Sequence, residues 1–245
     1  MKPIDRRTLL IGGGVGVGLI VAFVAWPRKH GSALTAAKGE QVFGHYLKIA
    51  PDGRVTVAVP QAETGQGAWT GLAQIAADEL GAAWEQVAVE PAPAAAVYAN
   101  ALLKGRVTAG ATSVRAFEQP LRAAGAMARD LLVRVAAERW DVDPGQCEAV
   151  DGFVIHGADR LGFGQLAEAA AGLDAGEPKL RRAGSGRLTG QSLARLDLPA
   201  KSDGSLRFAA DVRLPDMLFA SVRIAPPGGR LAGFSRKGEI GRAHV

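Results

Sequence analysis

The feature that most constrains the fold is a change of hydrophobic period between Tyr46 and Leu80. Strand-like alternation on both sides of the turn sequence Pro51-Asp52-Gly53 predicts a β-hairpin. The second strand runs into Glu63-Thr64-Gly65-Gln66-Gly67, and the apolar spacing after it predicts a short helix. We call residues 63–67 the first loop. A strand, a glycine-bracketed turn and a helix in succession indicate a mixed α+β fold.

A second glycine-containing run, Val107-Thr108-Ala109-Gly110-Ala111-Thr112-Ser113-Val114-Arg115, precedes a longer helical pattern. We call residues 107–112 the second loop. The apolar stripe that follows predicts an amphipathic helix ending near Trp140 and packed on a sheet, with Pro120 kinking it or starting its main segment. A further hairpin turns at Asp151-Gly152, a short helix starts near Leu161, and glycine and charge over residues 176–186 indicate a linker.

Both runs have the chemistry of an anion-binding and amide-binding site. Glycines allow close backbone approach, free amides at a helix start attract anions, and Gln66 carries both a donor and an acceptor. The hydroxyls of the second run and a guanidinium suit phosphate. The alternatives are that Gly-Gln-Gly is only a turn and that Ser113 is only a helix N-cap. The candidate binding residues are Gly65, Gln66, Gly67, Thr112, Ser113 and Arg115.

The N-terminal 30 residues have the pattern of an export signal or membrane anchor. Asp5-Arg6-Arg7 precedes an uncharged stretch from Thr8 to Trp26, which is close to the length that spans a bilayer. Paired arginines followed by leucines are typical of a twin-arginine signal. Without an Ala-x-Ala site, and with Arg28 and Lys29 following, we expect an uncleaved span in the inner membrane and a periplasmic body.

Composition excludes two classes of function. The net charge of +5 is spread over isolated arginines, so no nucleic-acid surface is indicated. A single cysteine, Cys147, and four histidines are too few to build a zinc or iron–sulfur site. Any iron–sulfur relay must therefore belong to another chain.

The first loop, with Gln74-Ile75 and Glu79-Leu80 after it, and the Thr112-Ser113-Val114-Arg115 run resemble cofactor-binding segments of molybdenum hydroxylase large subunits, the xanthine dehydrogenase and aldehyde oxidoreductase family. The order of segments is similar to the membrane-anchored bacterial branch that oxidises aldehydes or N-heterocycles such as isoquinoline. Arg195-Leu196-Asp197 and Asp211-Val212-Arg213-Leu214-Pro215 resemble the opening of that family's α/β hammerhead domain.

The resemblance implies a molybdopterin-binding segment at 40–175 and the start of a hammerhead at 187–238, with first strands at 206–211 and 218–224. It also implies a molybdenum–molybdopterin dinucleotide, with cytosine as the nucleotide, and a small-molecule aldehyde or N-heterocycle as substrate. Electrons would leave through a small two-iron two-sulfur subunit and a cytochrome c subunit. The family's glutamate base lies outside this sequence, so no catalytic residue or metal ligand is assigned within it. Ala109, Ala111 and Asp216 depart from the pattern, where relatives have glycine, serine and glycine.

Residues 239–245, Glu-Ile-Gly-Arg-Ala-His-Val, match the translation of a common sequencing adapter, and we interpret them as an artefact. The expected product is then an inactive fragment of a longer enzyme. Two alternatives stay open. One is a non-catalytic, membrane-tethered extracytoplasmic binding domain, and the other is a degenerate large subunit kept as a scaffold.

Overall fold

A four-stranded sheet forms one layer of the larger of two units in the computed structural model. Its order is β1-β2-β3-β4, with β1, β2 and β3 antiparallel and β4 parallel to β3. The predicted hairpin is confirmed, and the turn between β2 and β3 uses Gly53 at φ 90°. All five residues of β3 are buried, because both faces of the sheet centre are covered. The strands are β1 Gln41–Phe43, β2 Leu47–Ile49, β3 Val55–Val59 and β4 Val87–Pro91.

The structure describes residues 32–182, 185–220, 224–230 and 232–233. The predicted anchor at 1–30 and the interpreted adapter at 239–245 lie outside them. Within the described ranges, no helix has the length and apolar character needed to cross a membrane. The chain divides into a unit of Met1–Leu198 and a unit of Pro199–Val245.

Two helices pack together in the larger unit: α1 (Ala68–Leu80) and α2 (Ser113–Trp140). The helix α1 makes the crossover between the parallel strands β3 and β4. The long helix was predicted to pack on a sheet; α2 packs chiefly against α1 and to a smaller extent on strands of the sheets. The close approach depends on Gly125, where a Cβ would lie 2.5 Å from the Ala76 carbonyl oxygen. The helix α2 continues through Pro120 and begins seven residues before it.

A smaller sheet and a third helix complete this unit. The predicted hairpin at Asp151-Gly152 is confirmed, and β7 extends it into a three-stranded antiparallel sheet that the sequence did not predict. Residues 174–197, which we call the strap, contain no helix or strand where they are described and lie along α1. The elements are β5 Glu148–Val150, β6 Phe153–His156, β7 Asp159–Gly162 and α3 Phe163–Ala171.

The smaller unit contains little regular structure in its described residues. A short helix, α4 (Leu198–Ser202), crosses the boundary, and a 3-10 turn forms at Ala209–Asp211. The strand predicted at 206–211 is wrong, and the described part of 218–224 is not a strand either. Their side chains stay exposed, Leu218 to 76% and Ile224 to 88%, because no partner strand lies beside them in the part of the chain that is described. The hammerhead assignment stays a prediction.

Candidate functional site

The two glycine-containing runs line one cavity, although they are far apart in the chain. The cavity has a volume of about 530 Å³ and lies where α1 and α2 begin. The end of β3 brings the runs together, since Ala62 N donates to Thr108 Oγ1 at 2.9 Å and Gln61 Nε2 to the Val107 carbonyl at 3.4 Å. The lining residues are Thr64, Gln66, Gly67, Ala68, Gly71, Thr108, Ala109, Gly110, Ala111, Ser113 and Val114.

The first loop is folded around the carboxylate of Glu63. Oε1 accepts hydrogen bonds from the amides of Gly65 at 2.8 Å and Gly67 at 2.9 Å, and Oε2 accepts from the Trp69 amide at 3.0 Å. Burial alone would raise the pKa of Glu63, but these three amide hydrogen bonds together hold it below its usual value. The expectation that these amides face a ligand is therefore wrong, because they are already paired with an internal anion.

The side-chain amide of Gln66 also closes the first loop. Its Oε1 accepts from the Thr64 amide at 2.6 Å and from the Thr64 hydroxyl at 2.9 Å, while Nε2 donates to the Ala62 carbonyl at 2.8 Å. Gln66 still lines the cavity with an exposed side chain. A ligand would meet a loop whose shape is set before binding, which lowers the entropy that binding costs.

The second loop is held by a buried pair, Asn100 and Thr112. Asn100 Nδ2 donates to Thr112 Oγ1 at 2.8 Å, and that hydroxyl donates to the Ala109 carbonyl at 2.7 Å. Asn100 is fully buried, and its Oδ1 accepts from the Leu102 and Leu103 amides. The Thr112 hydroxyl is thus turned into the protein and does not line the cavity, so its role is to shape the turn.

The start of α2 supplies donors at the cavity. Thr112 is the N-cap residue and makes no side-chain cap, so the alternative that Ser113 caps the helix is wrong. Ser113 Oγ instead donates to Gln61 Oε1 at 2.9 Å. The first-turn amides of residues 113–115 have no acceptor within the helix, and the helix dipole adds partial positive charge there.

Three of the six predicted binding residues line the cavity: Gln66, Gly67 and Ser113. Gly65 and Thr112 lie behind it and shape the two loops. Arg115 is exposed on the first turn of α2 and does not line it. Sequence reasoning missed Gln61, which is 3% exposed and joins the two runs. The available signal was a polar residue two positions after the valine-rich strand pattern that ends at Val59.

The downstream motif residues Gln74 and Glu79, together with Asp78, hold the strap. Gln74 Nε2 donates to the carbonyls of Leu188 and Gln191, the latter at 3.1 Å. Asp78 accepts from the strap amides of residues 187–189 and from a threonine hydroxyl. These side chains share one face of α1 but lie outside the cavity lining, so their role is structural.

Glu79 is the centre of a buried charge cluster. Its carboxylate accepts from Arg122 Nε and Arg129 Nη1, each at 3.0 Å, and from the backbone amide of Arg181. Arg122 Nη2 also donates to the Arg181 carbonyl at 2.8 Å. The cluster fastens residues 179–182, part of the predicted linker, against α1 and α2.

The described part of the chain contains no group of three or more histidine, cysteine, aspartate or glutamate side chains placed to hold a metal ion. Cys147 is partly buried, and burial raises the pKa of its thiol, which keeps it protonated. The cavity therefore offers backbone amides, a hydroxyl and glycine surfaces rather than metal ligands.

Comparison with known proteins identifies a family. Residues 10–197 match the molybdopterin cofactor-binding domain. The chain is 30% identical to the beta chain of isoquinoline 1-oxidoreductase of Brevundimonas diminuta, over 92% of this chain and 34% of that protein. It is 31% identical to a nicotinate dehydrogenase component of Pseudomonas putida, over 89% of this chain and 18% of that protein.

A third relative has a different cofactor in its name. The chain is 31% identical to the membrane-bound aldehyde dehydrogenase [pyrroloquinoline-quinone] of Gluconacetobacter polyoxogenes, over 74% of this chain and 24% of that protein. The chain thus spans about a third or less of the length of these three relatives.

Proposed function

The chain belongs to the molybdopterin cofactor-binding domain family, and on that premise we propose that it is the N-terminal part of a molybdenum-dependent oxidoreductase large subunit. The enzyme would hydroxylate aldehydes or N-heterocycles and pass electrons to a separate iron–sulfur subunit. The single observation that carries the proposal is the cavity of about 530 Å³ shared by the first and second loops.

The cavity fits such a cofactor by its donors and its open glycines. A Cβ added at Gly67 or Gly71 would meet no atom within 4 Å, so the backbone is open to a flat ring system there. The first-turn amides of α2 suit the phosphates of a pterin dinucleotide. When bound, a molybdenum–pterin cofactor supplies oxygen transfer and two-electron oxidation.

The residues of the chain would bind and orient rather than react. The start of α2 would hold the anionic end of the cofactor, since the amides of residues 113–115 are unpaired within the helix. The first loop would supply a preformed wall, because the Glu63 carboxylate already accepts hydrogen bonds from the backbone amides there. No step needs Glu63 as a base, since its hydrogen bonds stabilise the ionised form and leave it a weak proton acceptor.

The finer parts of the proposal concern the cofactor, the partner subunits and the location of the whole protein. We expect the cytosine form of the dinucleotide, a two-iron two-sulfur partner subunit and a cytochrome c subunit as the next acceptor. We also expect one N-terminal span in the inner membrane and a periplasmic body, exported by the twin-arginine route. Two relatives are named as subunits of isoquinoline and nicotinate oxidoreductases, which supports a multisubunit enzyme.

The test is the cofactor content of the complete, purified protein. Molybdenum and pterin in equal amounts, near one per chain, are expected. Pyrroloquinoline quinone without molybdenum would favour the cofactor named for the aldehyde dehydrogenase relative. Absence of molybdenum, pterin and pyrroloquinoline quinone would contradict the proposal that the protein is an enzyme and would favour a tethered binding domain.

A matched pair of variants tests the site itself. Ser113→Asp places a carboxylate at the cavity, which should repel a phosphate while stabilising the first turn of α2. We expect pterin content to fall by roughly tenfold or more, the effect of about 1.4 kcal/mol of lost binding. Gln119→Asp puts the same charge on an exposed position of α2 outside the cavity and should leave pterin content unchanged. Equal pterin content in the two variants would contradict the assignment of the anionic end of the cofactor to the start of α2.

A further inference from the structure

The first loop is fastened from behind by the last residues of the strap. Arg195 Nη1 donates to the Gly65 carbonyl at 2.9 Å, and Nη2 donates to Glu63 Oε1 at 3.2 Å. The same guanidinium pairs with the carboxylate of Asp197, through Nε at 3.0 Å and Nη2 at 2.8 Å. One side chain therefore joins the loop backbone, the carboxylate inside the loop and a second carboxylate.

Burial makes this arrangement depend on the guanidinium. The side chains of Glu63 and Asp197 are 4% and 2% exposed, whereas that of Arg195 is 35% exposed. Two carboxylates this well buried repel each other unless a cation lies between them. A planar guanidinium presents five donors in a fixed fork that can pair with a carboxylate through two nitrogens, whereas a lysine ammonium is a compact charge that lacks this geometry.

The position of the loop determines one wall of the cavity. Gln66 and Gly67 line that wall, and the carbonyl that Arg195 holds belongs to the residue directly before them. Arg195 and Asp197 do not line the cavity themselves. Their effect on a ligand must therefore pass through the loop.

We propose that Arg195, oriented by Asp197, is a positioning residue that locks the first loop in the shape that lines the cavity. As far as the cavity holds a pterin cofactor, the inference rests on the proposed function. The strap end thus sets the binding wall, although none of the strap residues that the structure describes lines the cavity.

The test compares Arg195→Lys with Arg187→Lys in the complete protein. Arg187 belongs to the same strap, but its side chain is 59% exposed and forms ion pairs with the exposed carboxylates of Glu148 and Asp151. Hydrogen exchange of the amides of residues 63–69 should rise roughly tenfold in Arg195→Lys and stay unchanged in Arg187→Lys. Molybdenum and pterin per chain should fall at least about threefold in Arg195→Lys alone, with a melting temperature within about 2 °C of the parent.

Asp197→Asn supplies an independent variant, because it leaves the guanidinium and removes its orienting carboxylate. Asp197→Asn should also speed amide exchange at residues 63–69 and lower the molybdenum and pterin content, both to a smaller extent than Arg195→Lys. Unchanged exchange at residues 63–69 in both variants would overturn the proposal. Faster exchange with full cofactor content would also overturn it, because the loop would then not govern the cavity. A parent protein without molybdenum or pterin would contradict the proposed function instead, and the exchange result would still decide whether Arg195 locks the loop.

Discussion

Replacing Glu79 with glutamine should destabilise the larger unit by releasing the strap. The Glu79 side chain is 4% exposed and receives hydrogen bonds from two arginine side chains and one strap amide. Glutamine keeps the size and one acceptor oxygen of glutamate. It removes the negative charge between Arg122 and Arg129, which stay close together and largely buried.

The magnitude follows from that uncompensated charge. Removing one partner of a buried ion pair costs about 3–5 kcal/mol. The side chains of Arg122 and Arg129 are 20% and 16% exposed, so water screens part of the loss. We therefore expect about 3 kcal/mol, near the lower end of that range.

Urea unfolding followed by tryptophan fluorescence measures the loss, because Trp69, Trp84 and Trp140 all lie in the larger unit. The matched control is Glu118→Gln, since Glu118 is exposed on α2 near the same cluster and should change stability by less than about 0.5 kcal/mol. Adding Arg122→Met to Glu79→Gln should recover part of the stability. A loss below about 1 kcal/mol for Glu79→Gln would refute this account of the strap.

Three further predictions concern the same unit. Burial alone would raise the pKa of Asp78, but the Thr189 hydroxyl and strap amides hold it below its usual value. The contribution of Asp78 to folding stability is therefore present above the pKa of the unfolded state and is lost as the pH falls through the lower pKa of the folded state. Asp78→Asn should therefore flatten the loss of stability as the pH falls below about 4, measured as urea midpoints against pH. Ala111 has φ 50°, so Ala111→Gly should stabilise by up to about 1 kcal/mol in thermal melts, whereas Ala109→Gly should destabilise by about 0.5–1 kcal/mol. Gly125→Ala should cost about 1–3 kcal/mol, and a neutral result in urea would contradict the close approach of α1 and α2.

Local periodicity predicted much of the larger unit. The β2–β3 hairpin and α1 follow from patterns within one short segment, where side-chain period and turn residues agree. The strands β1 and β7 were missed although β2 and β6 are equally short, because the turn sequences Pro51-Asp52-Gly53 and Asp151-Gly152 marked the predicted hairpins and no such turn sequence marked the other two strands. The strands predicted at 206–211 and in the described part of 218–224 failed for another reason. Alternation predicts a strand only where a partner is present to pair with it.

The position of the candidate site was predicted better than the hydrogen bonds that shape it. Resemblance placed both loops at one site, and the structure brings them to one cavity. The amides of the first loop were expected to be free, yet Glu63 binds them, a contact that depends on loop geometry rather than residue type. The contact from Arg195 to Gly65 joins residues 130 positions apart, so no local pattern could indicate it.

Gly71 offers a direct test of whether a ligand approaches α1 at the cavity. It lies inside α1, where glycine is less stable than alanine by about 1 kcal/mol, and an added Cβ would meet no atom within 4 Å. Packing therefore does not require glycine there, but Gly71 lines the cavity. Gly71→Ala should stabilise the protein by about 0.5–1 kcal/mol and lower its pterin content.

The matched control for Gly71→Ala is Gly176→Ala, which also adds a methyl group to open space but lies outside the cavity. It should leave pterin content unchanged. Higher stability with reduced pterin content in Gly71→Ala alone would mean that the glycine is kept for ligand approach at the expense of helix stability. Higher stability with full pterin content would mean that the ligand does not approach this turn of α1, and the binding surface would then be confined to the second loop.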